Sequence, residues 1–365
     1  MFDERREDWA REREQLQSLL TDTELTAARR TTINAHYTDP VYVDAMWAAM
    51  QRLGFEGGRV LEPGSGAGTF MGMAPVRAEM TGIELDPLTA SISRGLYPAA
   101  EVRTESFADT RFPRASFDAA IGNVPFADVA LHDSTHNRGG HSMHNHFIIK
   151  SLALTRPGGL VAVLTSRFTL DAQNPAARRE MSDMADLVGA VRLPTGAHRR
   201  AAGTEAVTDL LILRRREPGA EPADSTWESV TPRIVDGEKM YVNSYFDNRP
   251  DHILGALEVG TGIHGSTTLQ VRGDLATAAA QLDAALADIT TSGIERGLTM
   301  AAPSADVLTS CCSRRRPPSP PLTPAPQVPG RTSPSWFRPG SPNRRRGRCR
   351  SLRAANPVSS TSGGY

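Results

Sequence analysis

The chain has 365 residues, enough for one large domain or two modest ones, and its Lys and Arg match its Asp and Glu at 41 each. The balance hides an asymmetry: no acidic residue follows Asp306 but 11 arginines do, which leaves 30 basic against 41 acidic side chains before it. An acidic body does not exclude DNA binding, but it requires basic residues to gather on one face. All three cysteines (Cys311, Cys312, Cys349) lie in the basic tail, so neither disulfides nor a Cys-ligated zinc hold the body together. The chain contains no apolar run long enough to cross a bilayer, and Met1-Phe-Asp-Glu-Arg-Arg is unlike a signal peptide, so the cytoplasm is the expected location.

Residues 1–30 are rich in Glu, Arg and Leu and predict a charged helix, with Trp9, Leu16, Leu19 and Leu20 roughly at helical spacing. Packing one edge on the body is its plain reading; docking a partner is the other. Residues 31–216 read as the main domain, in which apolar strands alternate with amphipathic stretches from Arg59 to Arg216. Strands are predicted at Arg59–Glu62, Met80–Glu84, Glu101–Thr104, Phe117–Gly122, Leu160–Thr165, Leu187–Leu193 and Val207–Leu213, with helices near Pro87–Leu96, Asn145–Thr155 and Ala176–Ala185. Short apolar strands separated by helices imply a parallel sheet covered on both faces. The last two strands have no room for a covering helix between them and should pair antiparallel. The expected fold is therefore α/β, a doubly wound, mostly parallel seven-stranded sheet with one antiparallel terminal strand.

Glu217 to about Thr226 reads as a linker, and residues 227–297 as a small appendage with a short strand at Tyr241–Tyr245 and a helix near Asp274–Ile289. From 313 to 365 Pro, Ser and Arg dominate without periodicity, which predicts disorder. The abrupt loss of Asp, Glu and Lys there also suits a translated shifted reading frame.

Two stretches carry the chemistry. Val60-Leu-Glu-Pro-Gly-Ser-Gly-Ala-Gly68 is a strand ending in a glycine-rich turn, where Gly64 and Gly66 let a ligand approach the backbone. At the end of the next strand Gly82-Ile-Glu-Leu-Asp86 places Glu84, with Leu85 beside it, where a carboxylate accepts both hydroxyls of a ribose. That spacing also suits NAD, but the turn lacks G-x-G-x-x-G, since Thr69 and Phe70 follow Gly68. After the third strand Ser106 and Phe107 are candidates for contact with an adenine; for Phe107 an ordinary core position is the competing reading.

The second stretch, Phe117 to Phe126, runs a buried strand into Asn123-Val124-Pro125-Phe126. An exocyclic amino group is a poor nucleophile because its lone pair is delocalised into the ring. Accepting both N–H protons, one on the Asn123 side-chain oxygen and one on the Val124 main-chain carbonyl, draws the nitrogen toward tetrahedral geometry and stabilises the developing positive charge. Pro125 stiffens the turn and Phe126 stacks on the base face. The bland alternative is a strand-ending turn with no chemistry.

These motifs resemble, in order and register, the amino-methylating DNA methyltransferases of the gamma order. The likeness is greatest to the adenine-N6 methylase module of phage- and plasmid-type methylase–helicase proteins, and it covers roughly residues 30–250. Asn34-Ala-His-Tyr-Thr-Asp-Pro40 resembles the opening motif of that family, which implies that Tyr37 and Thr38 help hold the methionine end of the cofactor. Glu62, Pro63, Gly64, Gly66 and Gly68 resemble the cofactor loop, Glu84 the ribose-binding acid, Asn123 to Phe126 the catalytic Asn-Pro-Pro-aromatic motif, and Gly158 to Ser166 the following structural strand. Val124 departs from the pattern, standing where most members have proline. The resemblance implies a Rossmann-like methyltransferase fold, S-adenosyl-L-methionine as cofactor, and methylation of N6 of an adenine flipped out of duplex DNA. It also implies restriction-modification as the setting and a helicase or recognition subunit as a possible partner.

The loop Leu193–Thr204 joins the antiparallel pair at the same end of the sheet. His198 takes a place comparable to the family's base-packing aromatic, and Arg199 and Arg200 are candidate phosphate contacts; a solvated basic loop is the alternative. Five of the nine histidines fall between His132 and His146. Their spacing fits no standard metal set, and they are expected to line a mobile loop over the catalytic motif. Three functions remain: adenine-N6 methylation of DNA, methylation of an RNA base or a protein glutamine amide by the same grip, and a non-catalytic module that binds DNA or a partner.

Overall fold

A computed structural model describes residues 9–22, 24–26, 38–197, 206–262 and 266–302. The expected sites at Tyr37, His198, Arg199 and Arg200 and the tail from 313 to 365 lie outside these residues, as does most of the opening motif, of which Thr38 to Pro40 are described.

Seven strands build one sheet: β1 (Gly58–Pro63), β2 (Ala78–Glu84), β3 (Glu101–Thr104), β4 (Phe117–Asn123), β5 (Thr155–Ser166), β6 (Ala185–Arg192) and β7 (Thr208–Arg215), in the spatial order β3-β2-β1-β4-β5-β7-β6. β1 pairs parallel with β2 and β4, β2 with β3, and β4 with β5, while β7 runs antiparallel to both β5 and β6. The reversed strand, last of the seven in sequence, is therefore inserted between β5 and β6, so that β6 forms the sheet edge. This is the doubly wound Rossmann-like methyltransferase topology. Strand order reverses between β1 and β4, which opens a crevice at their carboxyl ends.

The helices are α1 (Ala10–Leu19), α2 (Pro40–Arg52), α3 (Thr69–Gly72), α4 (Pro87–Leu96), α5 (Met143–Leu154), α6 (Phe168–Asp171), α7 (Ala176–Ser182) and α8 (Ala278–Glu295). Strand residues alternate between two cores. Val60, Ile121, Ala162 and Leu164 face one with Met46, Trp47 and Met50 of α2 and Leu282, Leu286 and Ile289 of α8. Leu61, Ala120, Val161 and Val163 face the other, with Phe147, Ile148 and Leu152 of α5. Burying each of these large apolar side chains contributes about 1.5–3 kcal/mol. By contrast, α1 buries none of its residues.

Two helices at the crevice start on built-in caps. The Asp39 carboxylate accepts from Val41 N at 3.2 Å, with Pro40 at the first position of α2, and Asp86 accepts from Thr89 N at 2.8 Å with Pro87 opening α4. Each cap is next to a site residue, Thr38 in one case and Glu84 in the other.

Residues 227–297 have no core of their own and join those of the sheet: Trp227, Val242 and Phe246 enter the α5 side, and α8 lies against α2 and β6. Besides the expected strand, here β9 (Glu238–Asn243), the segment forms β8 (Val230–Val235), β10 (Ala256–Thr261) and β11 (Thr267–Arg272), paired as two antiparallel ribbons, β8 with β9 and β10 with β11. The second ribbon is stitched to the loop after β6, since Thr195 N donates to Val271 O at 2.9 Å and Val271 N to Thr195 Oγ1 at 2.8 Å. Among the described residues no helix is long and apolar enough to cross a membrane.

Candidate active site

The glycine turn, Glu84 and the Asn123–Phe126 segment converge on the crevice between β1 and β4. Gly64, Gly66 and Gly68 all have left-handed backbone, with φ of 71°, 55° and 87°. A methyl group on Gly68 would meet Tyr97 Cε2 at 2.6 Å, whereas one on Gly66 would meet no atom within 4 Å. Gly68 is thus required by packing, and Gly66 leaves open space above its backbone. A methyl group on Gly64 would lie 3.6 Å from both Pro125 Cδ and Phe147 Cε1, so the two motifs are neighbours in space.

Glu84 is buried, and each of its oxygens already accepts one main-chain amide, Gly66 N to Oε2 at 2.8 Å and Asp86 N to Oε1 at 2.8 Å. These bonds fasten the turn to β2, a role invisible in the sequence, and leave each oxygen a second lone pair for a ribose hydroxyl. Glu62, at the end of β1, is also buried, and its Oε2 has no partner. Burial pushes both carboxyl groups above the ordinary range, against the opposing pull of nearby main-chain amides (Met71 and Phe70 at Glu62, Asp86 and Gly66 at Glu84). Neither has an ion-pair partner among the described residues. An open glycine backbone, a diol-competent carboxylate and a second buried acid without a counter-ion fit a nucleoside that carries positive charge.

Asn123 Nδ2 donates to Thr38 Oγ1 at 3.1 Å, which joins the end of β4 to the residues just before α2. Val124 is fully buried in the α5-side core, and its N–H donates to Leu164 O at 3.0 Å. Proline could not make that bond. The valine thus extends the β4–β5 ladder by one residue, an alternative to the ring stiffness of proline that keeps the main-chain carbonyl. Pro125 and Phe126 are half-buried.

Two expectations are corrected. Phe107 is a core residue: its ring is 3% exposed and packs 4.9 Å from Phe147, which leaves Ser106 as the accessible member of that pair. The histidine-rich loop is pinned by a buried polar cluster. Asp133 Oδ2 is 2.9 Å from Lys150 Nζ, 3.2 Å from His146 Nε2 and 3.3 Å from His136 Nδ1, while Lys150 also donates to the carbonyls of Phe107 (2.5 Å) and Thr110 (3.0 Å). Burial works against the charge of Asp133, but Lys150, the Thr135 amide and His146 more than offset it and hold the carboxyl well below its usual range. His141 pairs with Glu180 at 2.8 Å, and His144, beside the Ala127 carbonyl, is pulled down to about 4 by burial. No group of side chains suited to a metal occurs among the described residues.

At the other end of the same rim, beyond β5, a second set of charges is self-contained. Arg192, fully buried, forms ion pairs with Asp209 at 2.8 Å and Asp171 at 2.8 Å, and Asp171 also accepts from Arg167 at 3.3 Å. Burial opposes the Arg192 charge, but the two aspartates raise its pKa above the ordinary value. The two aspartates that pair with Arg192 lie 17 and 21 residues from it, which leaves no local signal of this cluster in the sequence.

No family model matches the chain, and no curated protein sequence matches it. Solved structures do. One, described as a class I S-adenosylmethionine-dependent methyltransferase from Listeria monocytogenes, aligns at 16% identity over 52% of this chain and 64% of its own, with a TM-score of 0.44. Another, described as the modification subunit of a type I restriction enzyme from Vibrio vulnificus, aligns at 18% identity over 66% of this chain and 59% of its own, with a TM-score of 0.43. The 23S rRNA methyltransferase ErmE aligns at 19% identity over 52% of this chain and 72% of its own, with a TM-score of 0.38. The chain spans less than two thirds of the length of the first two. At these scores the likeness adds nothing to the fold that the strand order already establishes.

Proposed function

We propose that the protein transfers a methyl group from S-adenosylmethionine to the exocyclic N6 of adenine in DNA. The observation that carries this reading is the meeting of three elements in one crevice: the glycine turn with Glu84, the Thr38–Asn123 bond, and the Asn123–Phe126 segment. When bound, S-adenosylmethionine supplies an electrophilic methyl group on a sulfonium. Glu84 orients the ribose; Glu62 and Pro63, with Gly64, Gly66 and Gly68, line the approach of the methionine part; Tyr37 and Thr38 hold its end; Leu85 and Ser106 flank the adenine.

The acceptor base is flipped out of the duplex. Its amino group gives one hydrogen bond to the Asn123 side-chain oxygen and one to the Val124 carbonyl, which localises the lone pair on nitrogen and stabilises the charge that forms on it. Pro125 fixes the turn, and Phe126 stacks on the base. His198 packs beside the flipped base and Arg199 and Arg200 grip phosphates, the basic contacts that an acidic body requires. A helicase or recognition subunit supplies sequence specificity, in a cytoplasmic restriction-modification setting.

The test is competition for label. Tritiated S-adenosylmethionine offered to duplex DNA, RNA and protein together should place tritium in DNA as N6-methyladenine. Label in RNA or in glutamine side chains would move the same amino grip to another substrate. Cofactor binding without transfer to any of the three would overturn the enzymatic reading.

A further inference from the structure

We propose that Phe168 is a stacking platform for a second nucleobase, the neighbour of the one being methylated. This rests on the reading of DNA as substrate. Phe168 opens α6 two residues past the end of β5, and β5 runs beside β4, with Asn123 opposite Leu164. The residue is 51% exposed at the carboxyl rim. Isolated exposed apolar residues are common and by themselves mean little. Phe168 differs in being held in place from one side.

The Arg167 guanidinium carbon lies 4.1 Å from the Phe168 ring centroid. Arg167 is itself fixed. Its side chain is 12% exposed, Nη1 pairs with Asp171 at 3.3 Å, and Nη2 donates to Thr268 Oγ1 of β11 at 3.2 Å. Asp171 is locked in turn by Arg192 and by Asn243 N at 3.0 Å. The Phe168 amide donates to Ser166 Oγ at 3.3 Å, which holds the backbone as well. The ring therefore has a cation on one face and solvent access elsewhere, and its orientation is set before any ligand arrives.

The cation withdraws electron density from the ring, which favours stacking with an electron-rich purine. Phe126 follows the end of β4 and Phe168 the end of β5, so the two rings follow neighbouring strands of the sheet. One serves the target base. The other accepts the base beside it when flipping breaks the local stack, and so recovers part of the stacking that extrusion removes.

The experiment uses the full chain with saturating S-adenosylhomocysteine and fluorescein-labelled oligonucleotides read by anisotropy. Phe168→Leu keeps apolar bulk without a π-face and should weaken oligonucleotide binding roughly 5- to 150-fold, the range for one lost base–aromatic stack. Cofactor affinity should not change. Phe168→Trp should restore binding, and its added indole emission should be quenched by DNA. An abasic residue next to the target adenine should cost the wild type the same factor and the leucine variant nothing further. Wild-type DNA methylation with a leucine variant that binds and turns over normally would overturn the platform and leave the proposed function standing. A wild type that binds cofactor but neither binds nor methylates DNA would overturn both.

Discussion

The carboxyl rim of the sheet holds buried acids in two places, and they are treated in opposite ways. Beyond β5, Asp171 and Asp209 are matched by Arg192 and Arg167 at 2.8–3.3 Å. At the β1–β4 crevice, Glu62 and Glu84 have main-chain amides near them and no cation among the described residues. Burying a charge is costly unless something compensates it. The first cluster is complete and serves structure. The second is incomplete, and under the proposed function a cationic ligand would complete it, a role for which sulfonium and ammonium groups are suited.

The largest expected effect would break this contrast from the structural side. Arg192→Leu leaves two buried carboxylates unpaired and should lower the unfolding free energy by about 3–5 kcal/mol in chemical denaturation. Normal stability with lost methyl transfer would place Arg192 in function and erase the distinction. Next comes Asn123→Ala, which should slow transfer by on the order of 3–4 kcal/mol in activation free energy, read as single-turnover rate, while cofactor affinity holds.

Glu84→Gln sharpens the crevice side. Losing a charged hydrogen-bond acceptor should weaken cofactor binding by about 1.5–3 kcal/mol in calorimetry. Stability should fall as well, because the new NH2 group cannot accept from the Gly66 or Asp86 amide, a loss offset in part by removal of the buried charge.

The smallest effect concerns His144. Its pKa is pulled from the ordinary 6.5 down to about 4 by burial, so the unfolded chain takes up its proton first. Stability should therefore fall as pH drops from 6.5 toward 4, by on the order of 1 kcal/mol near pH 5.5, and His144→Gln should flatten that limb of a melting-temperature profile.

How much of this could be read in advance divides along similar lines. Six of the seven strands of the sheet were legible as short apolar stretches closed by turn residues, whereas β3 (Glu-Val-Arg-Thr) has a single apolar residue, and the glycine turn, Glu84 and Asn123–Phe126 were legible because their chemistry is local. α2 also carried a usable signal, since its exposed Asp44, Gln51 and Arg52 recur at helical spacing among buried apolar residues and Asp39-Pro40 marks its start. The β8–β9 hairpin carried a usable signal in Asp236-Gly237, whose φ values of 51° and 84° are those of a two-residue turn of the favoured hand. Phe107 is ambiguous in any sequence, since core and ligand contact ask for the same ring. The ion clusters were out of reach, because their partners meet only once the sheet has formed.

Proton linkage at the crevice tests the central claim most directly. Burial raises Glu62 and Glu84 above the ordinary carboxylate range, and a bound cation favours their ionised forms, so ligand affinity should fall as pH drops through the raised values and level off above them. S-adenosylmethionine titrated calorimetrically in buffers of different ionisation enthalpy, stepped from about pH 5 to 7, measures the protons exchanged. The account predicts proton release on binding at the acid end, reduced in Glu84→Gln. Binding with no proton release across the range, and equal affinity in the variant, would contradict it.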